Sequence, residues 1–160
     1  MKTFIVIGGS KGIGKELVKL LVSDNKVVNV SRTAPDFSHV NLEHVSCNIL
    51  TDELPDIESA DGLVYCPGSI NLKPINRLSI DDFKEDFEIN VIGAVKAIQH
   101  YLPSLKKGNN PSILLFSSNQ FKSVDDLIPA PYPYSFFPIV FSQSILSFLQ
   151  ISGWWHAIKK

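Results

Sequence analysis

The chain has 160 residues, of which 44% are hydrophobic, and a formal net charge of -1. This length suits one domain with a sizeable core, and the balanced charge excludes the basic excess of nucleic-acid binders and the acidic block of a solvating tail. No signal-peptide pattern precedes the first apolar run, and Cys47 and Cys66 are too few for a disulfide framework or a zinc site. We therefore expect a metal-free protein of the cytoplasm with reduced thiols.

A glycine-rich segment organises the first part of the chain. Residues 8–14 read GGSKGIG, follow the apolar run Phe4–Ile7 and precede the amphipathic segment Lys15–Val22. This order predicts a buried parallel strand, a tight turn and a helix. A turn of this kind brings backbone N–H groups and the positive end of a helix against a phosphate, although a turn without any ligand is the alternative.

Three of the four glycines in this segment, Gly8, Gly12 and Gly14, have different expected roles. Gly8 supplies the tight turn, Gly12 allows close approach of the backbone to a phosphate, and Gly14 lets the helix pack against the strand. The sequence therefore predicts a nucleotide-phosphate site at this turn.

A second strand, Lys26–Val30, ends in Ser31 and Arg32. In a dinucleotide-binding fold this strand end faces the adenosine ribose, where an acid binds the 2′-hydroxyl and an arginine accommodates a 2′-phosphate. There is no acid at this place. Ser31 and Arg32, together with Lys11 of the glycine turn, therefore favour NADP(H) over NAD(H), whereas the alternative for Arg32 is an ordinary solvated loop residue.

Three further apolar runs, His44–Cys47, Gly62–Tyr65 and Ser112–Phe116, are typical of strands. Together with the two strands predicted at Phe4–Ile7 and Lys26–Val30, they predict an α/β fold. Its doubly wound, Rossmann-like parallel sheet should contain about five strands in the order 3-2-1-4-5. The segment Thr51–Glu58 fits a short helix or a loop.

The longest helical pattern runs from Ser79 to Lys107. Ser79 is a suitable N-cap, and one apolar stripe predicts a buried face. Asn90 lies on that stripe, where its amide needs partners because an unsatisfied buried amide costs about 1–3 kcal/mol. Either it bonds to the backbone or it has a functional role. The stripe consists of Ile80, Phe83, Phe87, Ala94, Ile98, Tyr101 and Leu105.

The spacing of the three glycines resembles the nucleotide-binding turn of the short-chain dehydrogenase/reductase family, and further motifs of residues 1–118 are similar to it in the same order. The resemblance implies that Asn48 and Ile49 contact the adenine, and that Asn90 and Ser118 belong to the catalytic tetrad as a water-holding and a substrate-binding residue. The predicted cofactor-binding positions are Gly8, Ser10, Lys11, Gly12, Ile13, Gly14, Ser31, Arg32, Asn48, Ile49 and Gly68, and the predicted catalytic positions are Asn90 and Ser118.

The sequence also departs from the family pattern. Ile7 stands where the family has threonine, and Tyr65, Cys66 and Pro67 replace the Asn-Asn-Ala of its Asn-Asn-Ala-Gly motif, of which Gly68 remains. These changes remove side-chain hydrogen bonds that steady the sheet edge, but leave the expected path of the backbone unchanged.

The catalytic Tyr-x-x-x-Lys pair of the family has no counterpart after Ser118. Tyr132 is followed at that spacing by Phe136, and Tyr134 by Pro138, while residues 123–158 contain neither lysine nor arginine. We predict a nucleotide-binding domain at 1–118 and an atypical aromatic, proline-rich tail at 119–160. A frameshift, a divergent tail that docks on the sheet or on a second subunit, and a membrane-associating tail are the alternatives, and the frameshift is favoured.

The resemblance implies an NADP(H)-dependent oxidoreductase that reduces carbonyls or oxidises alcohols, incomplete and weakly active or inactive as written. The alternative is a non-catalytic NADP(H)-binding or interaction module. If the protein is active, we expect a small carbonyl or alcohol substrate. We also expect a possible homo-oligomer through the 79–107 helix, and no binding to nucleic acid or to a membrane.

Overall fold

The structure is a computed structural model that describes residues 1–71, 73 and 75–116. The predictions for Ser118, for Tyr132 and Tyr134 and for the tail at 119–160 therefore lie outside the described residues.

Five parallel strands form one sheet in the order β3-β2-β1-β4-β5. This order confirms the predicted doubly wound arrangement. The strands β2 and β3 are added on one side of β1, and β4 and β5 are added on its other side. The register pairs Ile5 of the first strand with Val28 on one side and Leu63 on the other. The strands are β1 Thr3–Ile7, β2 Lys26–Ser31, β3 Leu42–Ser46, β4 Gly62–Tyr65 and β5 Ser112–Leu115.

The described residues contain three α-helices, α1 Gly12–Leu21, α2 Ile80–Phe87 and α3 Gly93–Lys106. A 3-10 turn covers Ile75–Arg77, and a π-helical turn covers Glu88–Ile92, so the single helix expected over 79–107 is interrupted at its centre. The segment 51–58 is irregular rather than helical. Across the described ranges, every helix falls short of the length and apolar character needed to cross a bilayer.

The predicted start of α2 is confirmed. The Ser79 hydroxyl accepts a hydrogen bond from the Asp82 backbone N–H at 3.1 Å, and the Asp82 carboxylate accepts one from the Ser79 N–H at 2.9 Å, which forms a capping box. The Lys73 ammonium, at 2.7 Å, together with these bonds lowers the pKa of Asp82 to about 2.

The described residues divide into two compact units. The first contains residues 1–67 and 93–115, which include all five strands, α1 and α3, and the second contains residues 68–92 together with 116. The domain boundary expected after residue 118 is not tested by this division and stays a prediction.

The first unit has a core on each face of its sheet. Because side chains alternate along a strand, Val6, Val27 and Val64 pack on the α1 side with Val18, whereas Ile5, Val28 and Leu63 pack on the opposite side. The helix α3 covers that opposite side and contributes four buried hydrophobic residues to its core, Ala94, Ala97, Tyr101 and Leu105.

The single apolar stripe expected along 79–107 holds for α3 but is wrong for α2. Ile80 is 70% exposed and Phe87 is 36% exposed. The π turn between the two helices contains more residues per turn than an α-helix, so it breaks the 3.6-residue period on which the stripe was based.

Asp61 ties together two parts of the first unit. Its carboxylate accepts one hydrogen bond from the Thr3 backbone N–H at 2.8 Å and another from the Asn109 N–H at 2.7 Å. The bond from Thr3 and then that from Asn109 lower the pKa of Asp61. The beginning of β1 is thereby held to the turn that precedes β5.

We expect Asp61→Asn to lower the urea midpoint of unfolding at pH 7. Because the folded-state pKa is lowered, the stabilisation by Asp61 is present above the ordinary carboxyl pKa near 4 and is lost as the pH falls through the lower folded-state value. The difference from wild type should therefore narrow on acidification. The exposed Asp24→Asn serves as the control, and a midpoint difference for Asp61→Asn that stays constant from pH 7 to pH 3 would contradict the prediction.

Candidate cofactor-binding site

The glycine turn leaves β1 through two left-handed residues. Gly8 has φ +80° and Gly12 has φ +54°, a region that residues with a Cβ atom rarely adopt. The Gly8 N–H donates to the Val30 carbonyl at 2.9 Å, so the chain turns directly over the end of β2. This is the tight turn that the sequence predicts.

At Gly14, α1 lies close to the residues that follow β1 and β4. A Cβ atom added there would meet the Gly8 carbonyl oxygen and lie 3.1 Å from the Cβ of Cys66. By contrast, a Cβ atom added at Gly12 would find open space within 4 Å. Gly14 thus sets the distance between helix and sheet, whereas Gly12 is needed for its backbone conformation.

The amino-terminal end of α1 has the properties of an anion site. Its N-cap, Lys11, has an extended backbone and makes no side-chain capping hydrogen bond, and the first turn contains no acid. Ile13 in this turn is 68% exposed. The first N–H groups of the helix, which have no intrahelical acceptors, therefore carry positive charge at an accessible end.

The end of β2 is connected to the glycine turn through Thr33. The buried Ser31 hydroxyl donates to the Thr33 carbonyl at 2.9 Å, and the Thr33 hydroxyl donates to that of Ser10 at 3.3 Å. The structure thus brings Ser10 and Ser31, two predicted site residues, into one hydrogen-bonded group.

Arg32 and Lys11 are both exposed, and within the described part of the chain neither forms an ion pair. Asp36, the first acid after Arg32, is instead held by Lys15 of α1 at 2.7 Å, and this bond lowers the pKa of Asp36. The Lys15–Asp36 pair ties the segment that follows Arg32 to the glycine-turn helix.

The predicted adenine-contacting residues follow β3. The Asn48 side-chain oxygen accepts from the Leu50 N–H at 3.2 Å, and the Asn48 backbone N–H donates to Asp52 at 2.8 Å. Ile49 is only 6% exposed and belongs to the core. The contact of both residues with an adenine stays a prediction.

The second unit brings together Gly68 and Asn90. The Asn90 amide holds Ser69 at both ends, since its oxygen accepts from the Ser69 N–H and its nitrogen donates to the Ser69 carbonyl, each at 2.9 Å. A Cβ atom added at Gly68 would lie 3.4 Å from the Asn90 oxygen. Asn90 lies in the π turn, a type of distortion that is frequent at functional sites. Its catalytic role stays a prediction.

Asp86 is a site-forming residue that the sequence analysis missed. Asp86 is 9% exposed, and its carboxylate accepts from the Ser69 hydroxyl at 2.7 Å and from the Asn71 N–H at 3.0 Å. Asp86 and Asn90 therefore fix the same short segment. Its position four residues before Asn90, which places both side chains on one helix face, was the available signal.

A second missed residue is Asn29 in the middle of β2. It is completely buried, and its side-chain oxygen accepts from the Gly9 N–H at 2.9 Å. The signal was the amide itself, since an asparagine within an apolar central strand must have a partner.

The departure from the family pattern at the end of β4 leaves the backbone path intact. The Cys66 N–H donates to the Ile7 carbonyl at 3.0 Å, and Pro67 packs against Gly8.

Tyr65 is buried with its phenol beside Gly93, and burial raises the pKa of this phenol. Burial also raises the pKa of the Cys66 thiol to about 11.

Comparison with known sequences accounts for this arrangement. The sequence profile of the short chain dehydrogenase family matches residues 2–126. The chain therefore belongs to the short-chain dehydrogenase/reductase family.

Two curated relatives show how much of the length of a family member this chain covers. The Bacillus subtilis protein named uncharacterized oxidoreductase YvrD is 27% identical over 80% of this chain and 56% of its own length. The Neurospora crassa short-chain dehydrogenase srdF is 30% identical over 68% of this chain and 53% of its own length. The chain thus spans about half the length of these curated relatives.

Solved structures show the same fold. A short chain dehydrogenase family protein from Francisella tularensis has a TM-score of 0.72 at 24% identity, over 96% of this chain and 64% of that one. A short chain dehydrogenase from Leptospira borgpetersenii with bound NAD+ has a TM-score of 0.74 at 20% identity, over 98% and 66% of the two chains. An NADPH-bound carbonyl reductase from chicken fatty liver has a TM-score of 0.77 at 18% identity, over 99% and 72%.

We expect Asp86→Ala to destabilise the protein by about 1–3 kcal/mol, because the Asn71 N–H and the Ser69 hydroxyl lose a buried acceptor. Urea unfolding measures this change, and hydrogen exchange of the Asn71 amide should accelerate. The neighbouring exposed Glu85→Ala is the matched control. An Asn71 amide that exchanges at the wild-type rate in Asp86→Ala would show that this carboxylate does not hold the segment.

Proposed function

We propose that the chain binds a nicotinamide dinucleotide, with its pyrophosphate at the amino-terminal end of α1. The observation that carries this proposal is the uncapped, acid-free first turn of α1, which follows glycines in left-handed conformations. Such an end offers backbone N–H groups and a positive dipole to a phosphate. Membership of the short-chain dehydrogenase/reductase family supports the same ligand.

NADP(H) is the proposed cofactor in preference to NAD(H). Arg32 and Lys11 are exposed and free of ion pairs within the described residues, so both are available to a 2′-phosphate. The Ser31 hydroxyl donates to Thr33, which leaves the two cations as the proposed donors to that phosphate. Among the structural neighbours, one carries NAD+ and another NADPH, so the neighbours do not favour either cofactor.

The proposed reaction is carbonyl reduction or alcohol oxidation, for which the bound nicotinamide supplies or accepts the hydride. Asn90 would hold a water in the proton relay, and Ser118 would donate a hydrogen bond to the substrate oxygen. The Tyr-x-x-x-Lys pair, which would move the proton at neutral pH, is missing from the sequence after Ser118. We therefore propose that the chain as written binds the cofactor and has weak or no turnover.

That missing pair also supports a second candidate, a non-catalytic NADP(H)-binding or interaction module. Addition of the chain to NADPH distinguishes the two, since enhanced NADPH emission without consumption across a panel of carbonyl compounds favours the module. A cytoplasmic location and a homo-oligomer through residues 79–107 remain parts of the proposal.

Substitution of Arg32 tests the cofactor preference. We expect Arg32→Ala to weaken NADP+ binding about tenfold or more, because a charge-assisted hydrogen bond contributes roughly 1.5–3 kcal/mol. NAD+ binding should change little. Calorimetric titration of both cofactors against wild type and variant measures the ratio.

Lys26→Ala is the matched control, since Lys26 is an exposed cation at the opposite end of the same strand. If Arg32→Ala weakens NADP+ and NAD+ binding equally, Arg32 does not select the 2′-phosphate. If wild type binds neither cofactor, the proposed function itself is wrong.

A further inference from the structure

The most unusual buried polar group of the first unit is the side chain of Asn29. It has 0% exposure in β2, on the α1 side of the sheet, between Val28 and Val30 in sequence. An amide in such surroundings is destabilising unless its donors and acceptor are satisfied. Its partners therefore indicate why this residue type is present.

The side-chain oxygen of Asn29 is bonded to the glycine turn. It accepts from the Gly9 N–H at 2.9 Å, and a Cβ atom added at Gly9 would lie 2.6 Å both from that oxygen and from Val18 Cγ2. Gly9 is thus fixed between a side chain of β2 and a side chain of α1. Its N–H is used inside the protein, so the N–H groups beyond it are the ones left to a ligand.

The side-chain nitrogen of Asn29 is directed to the end of β2. It donates to the Ser31 hydroxyl at 3.0 Å and lies 3.3 Å from His44 Nδ1, which is also 3.2 Å from the Asn29 backbone carbonyl oxygen. Since Ser31 accepts from Asn29, its own proton is free to go to the Thr33 carbonyl. The two hydrogen bonds therefore point the same way along the chain: Asn29 donates to Ser31, and Ser31 donates to Thr33.

We propose that Asn29 is a positioning residue for cofactor binding, which couples the phosphate turn at Gly9 to the ribose-facing end of β2 at Ser31. The inference rests on the proposed function, because Asn29 joins the glycine turn to the strand end beside Arg32, the two segments at which that function places the cofactor phosphates. One rigid amide holds the turn in place and sets the donor direction of the Ser31 hydroxyl. Thr33 also connects the two segments, since its carbonyl accepts from Ser31 and its hydroxyl donates to Ser10, whereas Asn29 does so through one side-chain amide.

Asn29→Leu tests this role, since leucine has a similar size and no hydrogen-bonding group. Val28→Ala is the matched control, because it removes buried volume from the adjacent residue of the same strand without touching the turn. Calorimetry with NADP+ on the full chain should show at least tenfold weaker binding for Asn29→Leu and a much smaller change for Val28→Ala. In ¹⁵N-resolved hydrogen exchange the Gly9 amide should lose protection in Asn29→Leu only.

Asn29→Asp keeps the acceptor for Gly9 but replaces the donor to Ser31 with an acceptor. We expect the Gly9 amide to remain protected in this variant while NADP+ binding still falls at least tenfold, which a purely structural role would not produce. This variant decides the question by the same two measurements if Asn29→Leu does not fold.

The outcomes separate the two proposals. If wild type binds NADP+ but Asn29→Leu or Asn29→Asp binds it as tightly as Val28→Ala does, the role of Asn29 is wrong and the proposed function stands. If the Gly9 amide keeps its protection in Asn29→Leu, Asn29 does not position the turn. If wild type binds neither NADP+ nor NAD+, both proposals are overturned. If it binds NAD+ alone, the preference for NADP(H) is wrong, and the same comparison of the Asn29 variants with Val28→Ala is made with NAD+.

Discussion

The contact of α1 with the sheet at Gly14 is the constraint on which the first unit depends. The helix can lie this close only because position 14 has no Cβ to meet the Gly8 carbonyl and Cys66. That distance in turn places Val18 in the core beside Val6 and Val27 and leaves the amino-terminal N–H groups of the helix over the end of β1. Packing of a hydrophobic face and the position of the uncapped, positive end of the helix are thus consequences of one close approach.

The second unit uses polar groups for the same purpose. Residues 69–71 have no regular secondary structure, so their backbone groups need partners from elsewhere. Asn90 satisfies both backbone groups of Ser69, and Asp86 accepts from Asn71. An amide and a carboxylate on neighbouring turns of one helical stretch therefore give an irregular segment a defined path beside Gly68.

The sequence was sufficient to predict most of the strands, the glycine turn and the capped start of α2, because each depends on local patterns. The strand order followed from the doubly wound fold that these elements indicate. An apolar run, a glycine at a required left-handed position and a serine before two acids all act within a few residues. Asn29 and Asp86 were missed because their meaning depends on partners distant in the chain, at Gly9 and Ser69. The stripe along 79–107 failed at Ile80 and Phe87 because no local signal marked the π turn. Ser118, a predicted catalytic residue, lies outside the described residues.

The wide turn at Glu88–Ile92 limits how this chain can change length. Loss of one residue between Asp86 and Asn90 would shorten their spacing from four residues to three, which turns Asn90 by about 100° relative to Asp86. The Asn90 amide would then be displaced from the Ser69 backbone, and the two hydrogen bonds between them would be lost. Insertions and deletions should therefore accumulate in the connection between Asn71 and Ser79, while the length of the helical stretch stays constant among descendants of this sequence.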